Sequence, residues 1–222
     1  MAEVFEKPKK FTKPWFSYIW GYYKVHFACI LFALVLVVIT VVDSVTKVNY
    51  DLNLNYIATN AMYLETEESI ETSLSSLSED VNQDGEQHVS LSQINFTSEA
   101  MQDAQQFIAL ENKLMATLAS EDEMLYIFDE MMLKDVFSMD ETEGIFLEVD
   151  DWCTEKISDD ARYTFGGGVY AVSLKNSAVF KKLGIDSSEL YLAVRMNYQP
   201  GKEELERKHA ASVKLANAII KE

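Results

Sequence analysis

Residues Val25 to Val42 read VHFACILFALVLVVITVV, a run of eighteen without Asp, Glu, Lys, Arg, Pro or Gly. At about 1.5 Å rise per residue, a helix of that length covers about 27 Å, close to the hydrocarbon core of a bilayer. A single segment in lipid must satisfy its own backbone polar groups, so a helix is the conformation open to it. The run is longer than the apolar part of a signal peptide. The Val-Val-Asp-Ser-Val-Thr that ends it offers no small-residue cleavage site, so an uncleaved anchor is expected. The chain then divides into a basic and aromatic cytoplasmic segment (1–24), a transmembrane helix (25–42) and an extracytoplasmic domain (43–222).

Charge gives the orientation. Lys7, Lys9, Lys10, Lys13 and Lys24 precede the span against Glu3 and Glu6, a surplus of three positive charges. The net charge is −17, so the remainder of the chain carries an excess of twenty negative charges. Lys and Arg are retained on the cytoplasmic side, which places the N-terminus inside and the domain outside. Trp15, Phe16, Tyr18, Trp20, Tyr22 and Tyr23 form an aromatic belt before the span, expected on a short interfacial helix after Pro14. The acidity of the domain argues against nucleic acid, whose phosphates need basic partners, and against an anionic lipid surface. Cys29 lies in the span and Cys153 in the domain, so they cannot pair within one chain, and a cysteine metal cluster is excluded.

The domain reads as alternating strands and helices. Leu52, Leu54 and Tyr56 alternate with polar residues over 51–58, the period of a half-buried strand. Ile70, Leu74 and Leu77 have helical spacing over 65–77. A turn at 80–85 precedes a second alternating strand over 88–96. A long helix starts at Ser98 as its N-cap, with Phe107, Leu114 and Leu118 on its apolar face. Met124-Leu-Tyr-Ile-Phe128 is a continuous apolar run, as in a strand buried on both faces. A short helix is expected near 133–138, strands at 145–149, 168–174 and 190–196, and an amphipathic helix over 202–221. The order argues an α/β domain with parallel strands joined by right-handed crossovers.

Several segments resemble one family. Leu110-Glu-Asn-Lys-Leu-Met-Ala-Thr-Leu-Ala-Ser120 leads into Leu125-Tyr-Ile-Phe-Asp129, and Gly167-Gly-Val-Tyr-Ala-Val-Ser-Leu174 precedes Phe180-Lys-Lys-Leu-Gly184. Together they resemble one lobe of a bacterial extracellular solute-binding protein of the ABC-transporter type. The resemblance covers about residues 48–196. It implies one lobe of a periplasmic-binding-protein fold, anchored by a helix where full members use a lipid-modified cysteine, and of a Clostridia-like kind. Ser173 stands where the family often has Pro.

The candidate chemistry is sparse. Asp80, Asn82, Asp84 and Gly85 match the first half of a calcium loop, but the twelfth position, which needs a bidentate carboxylate, is Leu91. A plain turn competes with a calcium site completed by Glu79 or Glu86, and no other cofactor is expected. Ligands of open α/β sheets bind beyond the carboxyl ends of strands. Asn60 and Thr97, after the first two strands, and Asp129 and Glu130, after the third, would then share one edge. Trp152 and Tyr163 would supply an aromatic wall. The competing assignment is that Asp129 and Glu130 cap the following helix. Gly166-Gly-Gly168 lacks the lysine and spacing of a phosphate loop and permits a bend. No catalytic motif is present.

The expected function is therefore a single-pass, membrane-anchored, non-catalytic extracytoplasmic binding protein, solute-binding-like. Its partner would be a small solute or a membrane protein such as a transporter. The alternatives are an accessory subunit of a membrane complex with no small ligand, and a hydrolase using Asp and Glu pairs.

Overall fold

The computed structural model describes residues 11–46, 48–139, 144–197, 199 and 201–221. Lys7, Lys9 and Lys10 of the basic flank lie outside the described residues. The chain forms two compact units, Met1–Val48 and Asn49–Glu222.

The first unit is one helix, α1, Lys13–Thr46, of 34 residues. Its Tyr23–Val42 segment, 20 residues, is long and apolar enough to cross a membrane, and none of it is buried by protein. The aromatic stretch does not form a separate helix; Trp15, Phe16, Trp20 and Tyr23 belong to α1 itself. Pro14 lies in the first turn, where its missing N–H has no intrahelical partner to lose, so it starts this helix without breaking it.

The second unit is built on a six-stranded sheet. Its elements are β1 (Leu52–Ala58), α2 (Leu64–Ser75), β2 (Val89–Asn95), α3 (Ser98–Gln102), α4 (Ala104–Ala119), β3 (Leu125–Asp129) and α5 (Glu130–Phe137). They continue with α6 (Val149–Trp152), β4 (Arg162–Phe165), β5 (Gly168–Ser173), α7 (Ala178–Leu183), β6 (Leu190–Val194) and α8 (Glu203–Ile220). The strand order is β2-β1-β3-β6-β5-β4. β1 is parallel to both β2 and β3. β6 runs antiparallel to β3, β5 to β6 and β4 to β5. The sheet is thus mixed, parallel in its first half only. The chain turns back through Gly166 and Gly167, at φ 58° and 96°, in a β4–β5 hairpin. Two consecutive positive φ values are the requirement of the tight turn that suits strand twist, and glycine meets it without strain.

Alternation along the strands divides the core into two layers. Leu54, Tyr56, Leu125, Ile127, Leu192 and Val194 pack with Ile70 and Leu74 of α2, Trp152 of α6, Phe180 of α7 and Leu215 of α8. Ile57, Tyr126, Phe128, Ala171 and Ala193 pack with Leu114 and Leu118 of α4 and Met132, Leu133 and Val136 of α5. Helices therefore cover both faces, and all five residues of β3 are buried. Ala171 and Ala193 face each other across β5 and β6, and these small side chains lie in the same core layer as large rings. The Phe146 ring lies 5.3 Å from Tyr126, 5.8 Å from Phe128 and 5.0 Å from Phe137. Aromatic pairs at these separations add about 0.5–1.5 kcal/mol each beyond their burial.

Three local expectations are corrected. The helix after β2 is capped by Thr97, whose hydroxyl accepts from Ala100 N, and not by Ser98. That helix is also divided at Asp103, whose carboxylate accepts from the N–H groups of Gln105 and Gln106 and so starts α4 afresh. The strand expected at 145–149 is reduced to a single bridge between Phe146 and Arg195, and Val149 already belongs to α6.

The outer edge of β2 is closed by side chains. Ser75 Oγ accepts from Val89 N–H at 2.9 Å, and Glu71 Oε1 accepts from Leu91 N–H at 2.7 Å. Lys113 Nζ donates to the Gln93 carbonyl at 2.7 Å. An edge strand is a template for pairing with another chain, and these helix side chains occupy it.

Candidate functional site

Because β1 and β3 are parallel and Ile57 registers with Phe128, the two strands end together at Ala58 and Asp129. β6 runs the other way, so its first residue, Leu190, pairs with Asp129 and brings residues 186–189 to the same edge. A cleft of about 730 Å³ opens there. Small-molecule sites commonly fall in that size range and at this position of a sheet. Its lining includes Tyr56, Thr59, Asn60, Asp129, Glu130 and Glu189.

Asp129 ends β3 and caps α5. Its Oδ1 accepts from Met132 N–H at 2.8 Å, and its Oδ2 accepts from both the N–H and the hydroxyl of Thr59, each at 2.6 Å. The carboxylate thus ties the ends of β1 and β3 to one helix start, where the partial positive charge of the helix favours it. Glu130, one residue on, pairs with Lys134 a helical turn later. Asn60 is exposed on the rim. Asn60, Asp129 and Glu130, singled out in the sequence, therefore line one cleft. Thr97 is used as the cap of α3.

Tyr56 is the most buried residue of the lining, at 6% exposure. Burial, reinforced by the Asp129 charge, pushes its phenol up to about 12, so it stays protonated at neutral pH. Among the described residues no group hydrogen-bonds its hydroxyl. The hydroxyl oxygen itself reaches the surface of the cleft, where water can partner it.

The aromatic wall is not formed. Trp152 is buried in the layer shared with α8, and its carbonyl accepts from Asn217 Nδ2 at 2.9 Å. Tyr163 lies on the opposite face, with Phe137 at 5.9 Å and Tyr191 at 5.8 Å between ring centres. The sheet separates the two rings, and neither lines the cleft. Tyr163 feels the charges of Lys134 and Glu130, but burial raises its phenol more than either charge moves it.

Asp80, Asn82 and Asp84 are engaged in their own turn. Asp80 accepts from Gln83 N–H at 2.6 Å and Gly85 N–H at 2.9 Å, Asn82 Oδ1 from Asp84 N–H at 2.9 Å, and Asp84 from Glu86 N–H at 3.0 Å. Among the described residues no group of three or more His, Cys, Asp or Glu side chains is placed to hold a metal ion. The carboxylate that holds this loop lies outside the turn. Asp51, 2% exposed, accepts from Val81 N–H at 2.7 Å, Asn82 N–H at 3.0 Å and His88 N–H at 2.8 Å, and so clasps both ends of the loop. Its only signal is an acidic residue at a strand start.

Other reactive groups lie apart from the cleft. His88 contacts Glu86 at 3.0 Å, and His209 Nε2 lies 3.1 Å from the Arg195 carbonyl. Burial lowers His209 and raises the Cys153 thiol, which disfavours the imidazolium and the thiolate respectively. A second cleft of about 390 Å³ has Lys156, Lys175 and Lys221 against Glu155 and Asp160 in its lining, a nearly balanced set.

These features define a helix long and apolar enough to cross a membrane, attached to a mixed-sheet α/β domain with helices on both faces. No family model, curated protein or solved structure matches the chain.

Proposed function

We propose that this chain is a single-pass membrane protein whose extracytoplasmic α/β domain binds a small solute without transforming it. The observation that carries this reading is the cleft at the shared carboxyl ends of β1 and β3. Asn60, Asp129 and Glu130 line it from the ends of two separate strands, and Tyr56 of β1 forms part of its wall. The cleft contains no His or Cys among its described lining, and Asp129 is spent on Thr59 and Met132, so the arrangement suits recognition over bond cleavage. Support for the membrane placement comes from the Tyr23–Val42 helix, and for an outward-facing domain from the lysines before it. A one-lobed solute-binding domain would serve a transporter in the same membrane.

Two measurements test it. Protease added to intact cells should degrade the C-terminal domain while sparing the N-terminus; a protected C-terminus overturns the topology. Thermal denaturation of the full chain in detergent should be screened against sugars, amino acids, peptides and amines. A ligand at one hundred times its Kd stabilises by about 2.7 kcal/mol, a rise of several degrees. Silence across all classes would transfer the domain to the alternative role, docking on another membrane protein.

A further inference from the structure

We infer that the side of α1 carrying Lys13, Ser17, Gly21 and Lys24, with the lysines that precede it, binds the headgroups of anionic phospholipids in the leaflet that its N-terminus faces. This rests on reading Tyr23–Val42 as a membrane span.

The first observation is unanswered charge. From Phe11 to Val42 the chain has no Asp or Glu, although it holds 36 acidic residues in all. Lys13 and Lys24 are exposed on α1, and neither belongs to an ion pair among the described residues. Their countercharge therefore comes from outside the helix. Glu3 and Glu6 stand against five lysines in the flank, so a positive surplus survives them. Lys24 feels the need most, because it follows Tyr23, where the apolar span begins. A cation beside hydrocarbon has to bring its ammonium to the polar layer. Helical side chains lean toward the N-terminus, which is the headgroup side here, so the Lys24 stem can carry its charge to the phosphates. A zwitterionic headgroup brings its own cation and leaves the surplus unanswered. An anionic headgroup neutralises it.

The second observation is geometry. α1 is one continuous helix, so the aromatic residues before the span prolong it. Trp15 to Val42 is about 28 residues, or about 42 Å at 1.5 Å per residue, the depth of a bilayer with both headgroup layers. Trp20 is 65% exposed, and its ring suits the headgroup level. Lys13 then stands at the bilayer surface, within the Debye length of about 8 Å over which the potential of anionic lipid acts. Steps of four, four and three align Lys13, Ser17, Gly21 and Lys24 along one side of the helix. Nothing lies within 4 Å of where a Gly21 side chain would begin, so a lipid can approach the backbone between the two lysines. Ser17 adds a hydroxyl donor there.

The test uses the full chain in nanodiscs of mixed phosphatidylcholine and phosphatidylglycerol, with one lipid or the other brominated in its acyl chains. The readout is quenching of tryptophan fluorescence. Trp15→Phe with Trp20→Phe identifies the signal from α1, since Trp152 is buried in the second unit. One lysine near an anionic surface contributes about 1 kcal/mol, which is about fivefold. Phosphatidylglycerol should therefore be preferred over phosphatidylcholine beside these rings by about fivefold or more. Lys13→Gln with Lys24→Gln should remove most of the preference, and so should about 1 M salt, which shortens the Debye length to about 3 Å. Lys182→Gln, an exposed lysine of α7, should leave it unchanged. Equal quenching by the two brominated lipids overturns the inference, as does a preference indifferent to the paired lysine variant. If neither lipid quenches, α1 is not in the bilayer and the membrane reading falls with it. The nanodisc result does not depend on which way the second unit faces, so it and the protease test of topology fail separately.

Discussion

Thr59 holds Asp129 twice: its backbone N–H and its hydroxyl each donate to the same carboxylate oxygen at 2.6 Å. The contact joins the loop after β1 to the first turn of α5, so one pair of residues ties the ends of β1 and β3 together beside the cleft. Thr59→Val removes the hydroxyl donor at nearly constant volume and should cost about 1–2 kcal/mol. Asp129→Ala leaves three donors without their acceptor and should cost about 2–4 kcal/mol. Urea denaturation of the two variants and of the double variant checks this, and the double variant should cost less than the sum. Additive losses would mean that the pair is not coupled.

Alkaline pH should destabilise the domain. Burial raises the Tyr56 phenol to about 12, and burial also raises Tyr126. An unfolded tyrosine ionises near about 10. Above that pH the unfolded chain has released protons that the folded chain still holds, so stability is complete below about pH 10 and falls as pH climbs through the folded values. The slope is at most about 1.4 kcal/mol per pH unit for each phenol. Tyr56→Phe should flatten the decline. Denaturation midpoints from pH 8 to about 11, followed with the phenolate absorbance, supply the measurement.

The plugged edge of β2 should be what keeps the domain from pairing through that strand. Glu71→Ala with Lys113→Ala removes two of the three side chains that cap its outward groups. The variant should self-associate at concentrations where the wild type does not, seen by light scattering. An unchanged particle size would show that the edge is protected otherwise.

The loop at 80–88 should depend on Asp51 and not on calcium. Asp51→Asn keeps one acceptor oxygen and places an amide against N–H groups, so about 2–3 kcal/mol should be lost. Asp80→Ala, in an exposed turn, should cost about 1 kcal/mol. Melting temperatures with calcium and with chelator should coincide for the wild type; a calcium-dependent rise would restore a metal role to Asp80, Asn82 and Asp84.

Much of the local structure was legible because it follows from period. Leu52, Leu54 and Tyr56 announced β1, although as a half-buried strand where Asn55 and Ile57 are also buried, and the unbroken Leu125–Phe128 run announced a strand covered on both faces, as found. The carboxyl-edge position of Asn60, Asp129 and Glu130 was legible for the same reason. Parallel strands end on the same side, whatever covers them. Asp103 was not legible as a helix start, because a polar residue within a helical pattern looks the same whether its carboxylate caps a new helix or faces water. Phe146 read as part of a strand because an apolar run does not say whether a neighbour is near enough for more than one bridge.

The sequence by itself determined that a helix long and apolar enough to cross a membrane precedes an acidic α/β domain, since these are properties of composition and spacing. Only the tertiary structure decided which half of the sheet reverses direction, that Trp152 and Tyr163 fall on opposite faces, and that Tyr56 opens onto a cleft. Strand periodicity places a side chain on one of two faces. Pairing direction, register and the helices packed above then decide which face is which, and these depend on contacts between residues far apart in the chain. The Thr59–Asp129 contact, seventy residues apart, is such a relationship.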